Sequence, residues 1–176
     1  YTGDYLLGRV DFGFISGGWC DRSADGLRLA FSYITQLKEG GSFARLHWLD
    51  LRRPETVQKP LPHLDLRSPV AWAPFGESLA FWACQAQEEC GLYLYDIGSQ
   101  ETLVLFGAPP LSQPPLWSPD ALLIAFPATG DPLQVMILRS TDGQVVYNGA
   151  LQDLPPQYAW VNLEQEMSGF GRCENP

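Results

Sequence analysis

Long apolar runs are missing from this chain of 176 residues: nothing approaches the ~20 apolar residues that a membrane helix requires. Cationic charge is scarce as well, with 11 Lys and Arg against 20 Asp and Glu and a formal net charge of −9. A phosphate backbone or an anionic membrane surface would be repelled, which argues against nucleic acid as a partner and against direct membrane insertion of this segment. Amphipathic helical periodicity is also absent, because 15 prolines and 17 glycines punctuate the sequence throughout. The composition of a disordered chain is missing too: aromatics make up 12% and charged residues only 18%.

The strings that carry chemistry are absent. A hydrolase elbow needs Gly-x-Ser-x-Gly, and Gly40-Gly41-Ser42-Phe43-Ala44 comes nearest and fails. Gly13 to Gly18 lacks the Lys of a phosphate-cradling loop. No Asp-x-Asp-x-Asp calcium loop occurs, so Asp25, Asp120 and Asp142 read as turn formers. His47, in a strand, and His63, in a link, have no second ligand at metal-binding spacing. Glu88, Glu89, Asp153, Glu164 and Glu166 could form an acid–base pair, but nothing in the sequence fixes their separation. No catalytic, cofactor-binding or metal-binding residue is assigned. The start, Tyr1-Thr2-Gly3-Asp4, carries no Met and no leader, and reads as a mature or trimmed product from which a leader, anchor or membrane segment was removed.

What is present is a repeated phrase: Trp19-Cys20-Asp21-Arg22-Ser23-Ala24-Asp25-Gly26-Leu27-Arg28-Leu29-Ala30-Phe31, then Trp72-Ala73-Pro74-Phe75-Gly76-Glu77-Ser78-Leu79-Ala80-Phe81, then Trp117-Ser118-Pro119-Asp120-Ala121-Leu122-Leu123-Ile124-Ala125-Phe126. Each copy reads strand, tight turn, strand. The Trp residues recur at steps of 53 and 45 residues, and Trp160 follows 43 later, the period of a propeller blade. In the middle unit, alternation and breakers predict strands over 69–73, 78–84, 91–97 and 102–106. The first unit is predicted over 27–34, 43–51 and 56–61, and the third over 122–129, 134–141 and 144–148, with Asp142-Gly143 as a two-residue hairpin turn. Leu92 and Leu94 alternate with Tyr93 and Tyr95, which suits a sheet packed on both faces.

The prediction is an all-β fold, a propeller of about four blades in one domain, 1–176. The blades are 14–62, 68–107, 113–149, and an incomplete 157–173 completed by a strand from 4–12, which removes exposed sheet edges. Trp19, Phe31, Trp72, Phe81, Trp117, Phe126 and Trp160 are expected to pack between blades. Cys84 and Cys90 flank a polar stretch between two strands and are expected to be bridged across a hairpin; Cys20 and Cys173, near the ends of the array, are a second candidate pair that would lock a ring. Free thiols are the alternative in each case. Either bond would place the chain in an oxidising compartment.

On these residues the chain resembles the TolB-like or WD40-like propeller repeat, whose signature is Trp-Ser-Pro-Asp-Gly, two variable residues, an aliphatic, Ala and Phe. Trp117-Ser118-Pro119-Asp120 with Ile124-Ala125-Phe126 is the best copy, with Ala121 where the family favours Gly; the middle copy has Ala73 and Phe75, and the first carries extra residues after its Trp. The resemblance implies a bacterial, extracytoplasmic protein (periplasmic, secreted or anchored to the cell surface) that is non-catalytic and holds a protein partner, as an accessory subunit of an envelope complex. A propeller binding carbohydrate through Trp48, Trp82 and Tyr93, and an enzyme using loop carboxylates, are the competing readings. A chain that is part of a longer propeller, and a ring completed by a second copy, are further readings that the sequence does not separate.

Overall fold

The strands follow the alternation of the sequence, and the turns that join them follow its Gly, Asp and Ser residues. The computed structural model describes residues 19–36, 42–53, 57–58, 61, 63–85, 89–128 and 133–161. Three antiparallel sheets follow one another along the chain. The first contains β1 (Cys20–Arg22), β2 (Arg28–Gln36), β3 (Ser42–Asp50) and β4 (Val57–Gln58) in that order. The second contains β5 (Leu64–Leu66), β6 (Ala71–Trp72), β7 (Ser78–Gln85), β8 (Glu89–Asp96) and β9 (Thr102–Gly107). The third contains β10 (Leu116–Trp117), β11 (Leu123–Pro127), β12 (Gln134–Arg139) and β13 (Val145–Ala150), again in chain order.

Both β5 and β6 pair with β7, so the first strand of the second sheet is split in two. Leu64–Leu66 lies in a stretch that reads as a link in the sequence. The break falls at Ser68-Pro69, where the Ser68 hydroxyl accepts the Trp82 backbone N–H at 2.9 Å and so satisfies a buried donor that the interrupted ladder leaves over.

The second sheet is packed on both faces because its apolar residues alternate. Leu79, Phe81, Ala83, Tyr93 and Tyr95 face the first sheet, where they meet Ala30, Ala44 and Leu46. Ala80, Trp82 and Leu92 face the third, where they meet Ile124, Phe126 and Leu138. Full burial of each such side chain is worth about 1.5–3 kcal/mol, which makes these two seams the main source of stability. The remaining face of the third sheet is covered by Leu151, Leu154, Tyr158, Trp160 and Val161.

Register corrects the alignment of the first repeat. Leu29, Leu79 and Ile124 occupy equivalent positions, and their partners on the first strands are Arg22, Trp72 and Trp117. Arg22 therefore stands in the tryptophan slot, and the three extra residues of the first copy disappear. Trp19 lies before the strand, its N–H bonded to the Ser32 hydroxyl at 2.8 Å.

The sheets are latched at their first strands. The Trp72 indole N–H donates to the Asp21 carbonyl at 3.0 Å, and the Trp117 indole N–H donates to the Ala71 carbonyl at 3.1 Å. Asp21 and Ala71 are equivalent positions, so the same bond recurs from sheet to sheet.

Two further expectations change. The β12–β13 connection is the five residues 140–144, held by the Arg139 N–H to the Gln144 carbonyl at 2.9 Å, because Asp142 turns its carboxylate onto the Gln144 N–H. At the proposed start of the last unit, Tyr158 ends a 3-10 turn, Pro156–Tyr158, instead of beginning a strand; Pro155 and Pro156 favour that turn. The rest of that unit, 162–173, and the strand at 4–12 lie outside the described residues.

Candidate functional site

Three equivalent turns, 23–27, 73–77 and 118–122, join the first and second strands of the sheets and lie at one end of the array. The first and third share one hydrogen-bond pattern. The hydroxyl of Ser23 donates to the Asp25 carboxylate at 2.6 Å, as Ser118 does to Asp120 at 2.5 Å. Those carboxylates accept the N–H of Leu27 at 2.9 Å and of Leu122 at 3.1 Å. The N–H groups of Arg28 and Leu123 donate to the two serine hydroxyls, each at 2.9 Å. Gly26 has φ +70°, and Ala121 takes φ 60° in the same place, so the left-handed turn forms despite the missing glycine.

The middle turn abandons this pattern. Ala73 replaces the serine and Phe75 the aspartate, so three side-chain hydrogen bonds are lost, each worth about 0.5–1.5 kcal/mol. The phenyl ring they give way to is 69% exposed. Leu122 at 57% and Leu27 at 38% stand exposed on the neighbouring turns of the same end. An Arg28–Glu77 ion pair ties the first turn to the second.

Charge on this end is held in the turns. Hydrogen bonds from Ser23 and Leu27 lower the pKa of Asp25, those from Ser118 and Leu122 lower that of Asp120, and backbone N–H groups, of Ser99 and of Gln144, chiefly lower Asp96 and Asp142. The Arg52 guanidinium holds Asp50 well below the usual carboxylate range. Asp21 is the exception. Burial pushes its pKa up against the opposing N–H bonds of Trp72, at 3.0 Å, and Arg22, at 2.8 Å.

A pH dependence follows. Carboxylates with depressed values contribute stability above the unfolded value of 3.8 and lose it as pH falls through their folded values. Asp21 acts in the opposite sense: its contribution is present below 3.8 and is lost as pH rises through its folded value. Five groups against one predict a lower urea midpoint at pH 3 than at pH 6. An equal or higher midpoint at pH 3 would contradict this assignment.

Trp48, Asp50, Arg53 and Gln58 line an open depression of about 210 Å³, and Asp50, Arg52 and Arg53 a second of about 430 Å³. Of the rings offered for sugar stacking, Trp82 and Tyr93 are buried in the seams, so the array of exposed aromatics does not form; Trp48 alone of the three borders a depression. No three His, Cys, Asp or Glu side chains among the described residues converge as metal ligands. His47 is buried edge-on to Phe31, with ring centroids 5.4 Å apart, while His63 lies exposed in a turn. Asp153 and Glu89 are exposed; Glu88, Glu164 and Glu166 lie outside the described residues.

The remaining sequence candidates divide by burial. Phe31, Phe81, Phe126 and Trp72 are buried, whereas Trp19, Trp117 and Trp160 are half-buried. Cys84 and Cys90 face each other directly across β7 and β8 and are disulfide-bonded. Cys20 is disulfide-bonded as well; Cys173, its proposed partner, lies outside the described residues. No helix among the described residues is long and apolar enough to cross a membrane.

By sequence, the chain matches no protein-family model and no curated protein. By structure it is similar to a putative TolB from Agrobacterium tumefaciens, with a TM-score of 0.54 at 23% identity over 77% of this chain and 46% of that one. It is also similar to TolB from Acinetobacter baumannii, with a TM-score of 0.52 at 16% identity over 70% of this chain and 30% of that one. A third similar structure is the β-propeller domain of the Trilobed protease from Pyrococcus furiosus, with a TM-score of 0.51 at 13% identity over 76% of this chain and 43% of that one. The chain spans less than half the length of each. Its fold is a TolB-like β-propeller.

Proposed function

We propose that this chain is a non-catalytic protein-interaction module that works outside the cytoplasm as an accessory subunit of a cell-envelope complex. The observation that carries this reading is the grouping of exposed Leu27, Phe75 and Leu122 on corresponding turns at one end of a rigid β scaffold. The carboxylates at that end are engaged as hydrogen-bond acceptors that shape the turns, which leaves them a structural task. The Cys84–Cys90 bond supports an oxidising compartment.

The protease propeller among the similar structures offers a second context, a propeller that is one domain of a protease. Native electrophoresis of the envelope fraction of source cells tests the proposal. The chain should migrate in a discrete complex with a different protein. Recovery as free monomer alone would overturn it.

A further inference from the structure

The turn 73–77 is the place where the repeat gives up its own hydrogen bonds. The first and third turns show what the template supplies at that position: a serine and an aspartate that bond each other and the two following N–H groups. Ala73 and Phe75 can do none of this, and Phe75 stands 69% exposed. Local stability is thus surrendered for an aromatic side chain in water, and the corresponding turn of the next sheet carries the exposed Leu122. Aromatic residues, Phe among them, are enriched at the cores of protein interfaces.

The charge around this anchor points to the sign of what it meets. Asp50, Glu77 and Asp142 are neutralised by Arg52, Arg28 and Arg139. Among the described residues that leaves Asp25, Asp96, Glu101 and Asp120 against Arg22 and Arg53 at this end, so the rim is net acidic. From this geometry we infer that Phe75 anchors a cationic protein segment, one that offers an apolar pocket or groove to the ring and Lys or Arg side chains to the acidic rim. This rests on the interaction reading above.

Restoring the template separates the anchor from the fold. Ala73→Ser with Phe75→Asp rebuilds the turn of its neighbours, so the urea midpoint should rise while binding is lost. The probes are two synthetic peptides with the same Leu and Phe pattern, one flanked by Lys and Arg and the other by Asp and Glu, followed by fluorescence polarisation. The cationic peptide should bind the parent chain, weaken with added salt, and lose at least about tenfold in affinity to the double variant and to Phe75→Ala. Glu101→Lys should weaken it several-fold, chiefly through slower association.

Equal binding of the anionic peptide, or undiminished binding by the double variant, would overturn the inference. So would a parent chain that is dimeric in sedimentation and becomes monomeric on Phe75→Ala, since a second copy would then be the occupant. If the native envelope complex forms with the parent chain and persists with Phe75→Ala, the interaction reading stands and the anchor fails. If no complex forms with the parent, the reading itself fails.

Discussion

Gly143→Ala is expected to destabilise the fold by about 2–5 kcal/mol, read as a fall in the urea midpoint. Two effects combine. Gly143 has φ +69°, where a Cβ is strained in any surroundings, and that Cβ would also lie 2.1 Å from the Leu105 carbonyl oxygen and 2.9 Å from its carbon. Those are backbone atoms of β9, so no side chain can rotate away; the second and third sheets must separate locally. Gly76→Ala provides the control. It shares the left-handed conformation, at φ +81°, yet its Cβ would meet nothing within 4 Å, so it should cost only about 1 kcal/mol. Equal losses at the two positions would show that the close approach to β9 contributes nothing.

Trp82→Ala should be comparably damaging, at about 3–5 kcal/mol. The ring has 0% exposure, lies edge-on to Phe126 with centroids 5.1 Å apart, and fills the seam between the second and third sheets. Its indole N–H is buried without a hydrogen-bond partner. An unpaired buried donor carries a desolvation cost of about 1–3 kcal/mol, which phenylalanine would not bear. Trp82→Phe should fall well short of the alanine loss, because both variants shed that cost while phenylalanine keeps most of the ring's packing. Thermal unfolding followed by circular dichroism separates the two. A phenylalanine variant as unstable as the alanine one would mean that a ring retained in this seam contributes no packing, and would overturn this reading of the site.

The seams were legible because they are written locally. The alternation of Leu92, Tyr93, Leu94 and Tyr95 announces a strand with two apolar faces, and those faces meet the third and first sheets. Serine, aspartate and glycine mark the turns, since each makes its bonds within five residues. Trp19 misled for a related reason. A tryptophan is conspicuous, whereas the phrase is anchored by Ser23-Ala24-Asp25-Gly26; counting back from that serine finds Arg22 in the tryptophan slot. Leu64-Asp65-Leu66 was hidden among prolines, although its alternation was the available signal. Asp21 could not be found from sequence, because its carboxylate bonds the N–H of Trp72, which a separate sheet brings to it. Phe75 was visible as a departure from the repeat; its exposure was not, since that depends on what the fold brings around the turn.

The indole latches have an evolutionary consequence. Each takes its donor from a side chain and its acceptor from the main chain, so the two ends are under unequal constraint. Asp21 and Ala71 differ in size and charge, yet they receive the same bond, because every residue carries the carbonyl that the indole needs. The donor position has no such freedom, for few side chains are both broad enough to span the gap and equipped with an N–H at its far edge. Neighbouring copies can therefore diverge freely on the acceptor side of these two seams, while the donor side keeps its tryptophan at Trp72 and Trp117; the first copy, with Arg22 in that slot, is recognisable by its Ser-x-Asp-Gly turn instead.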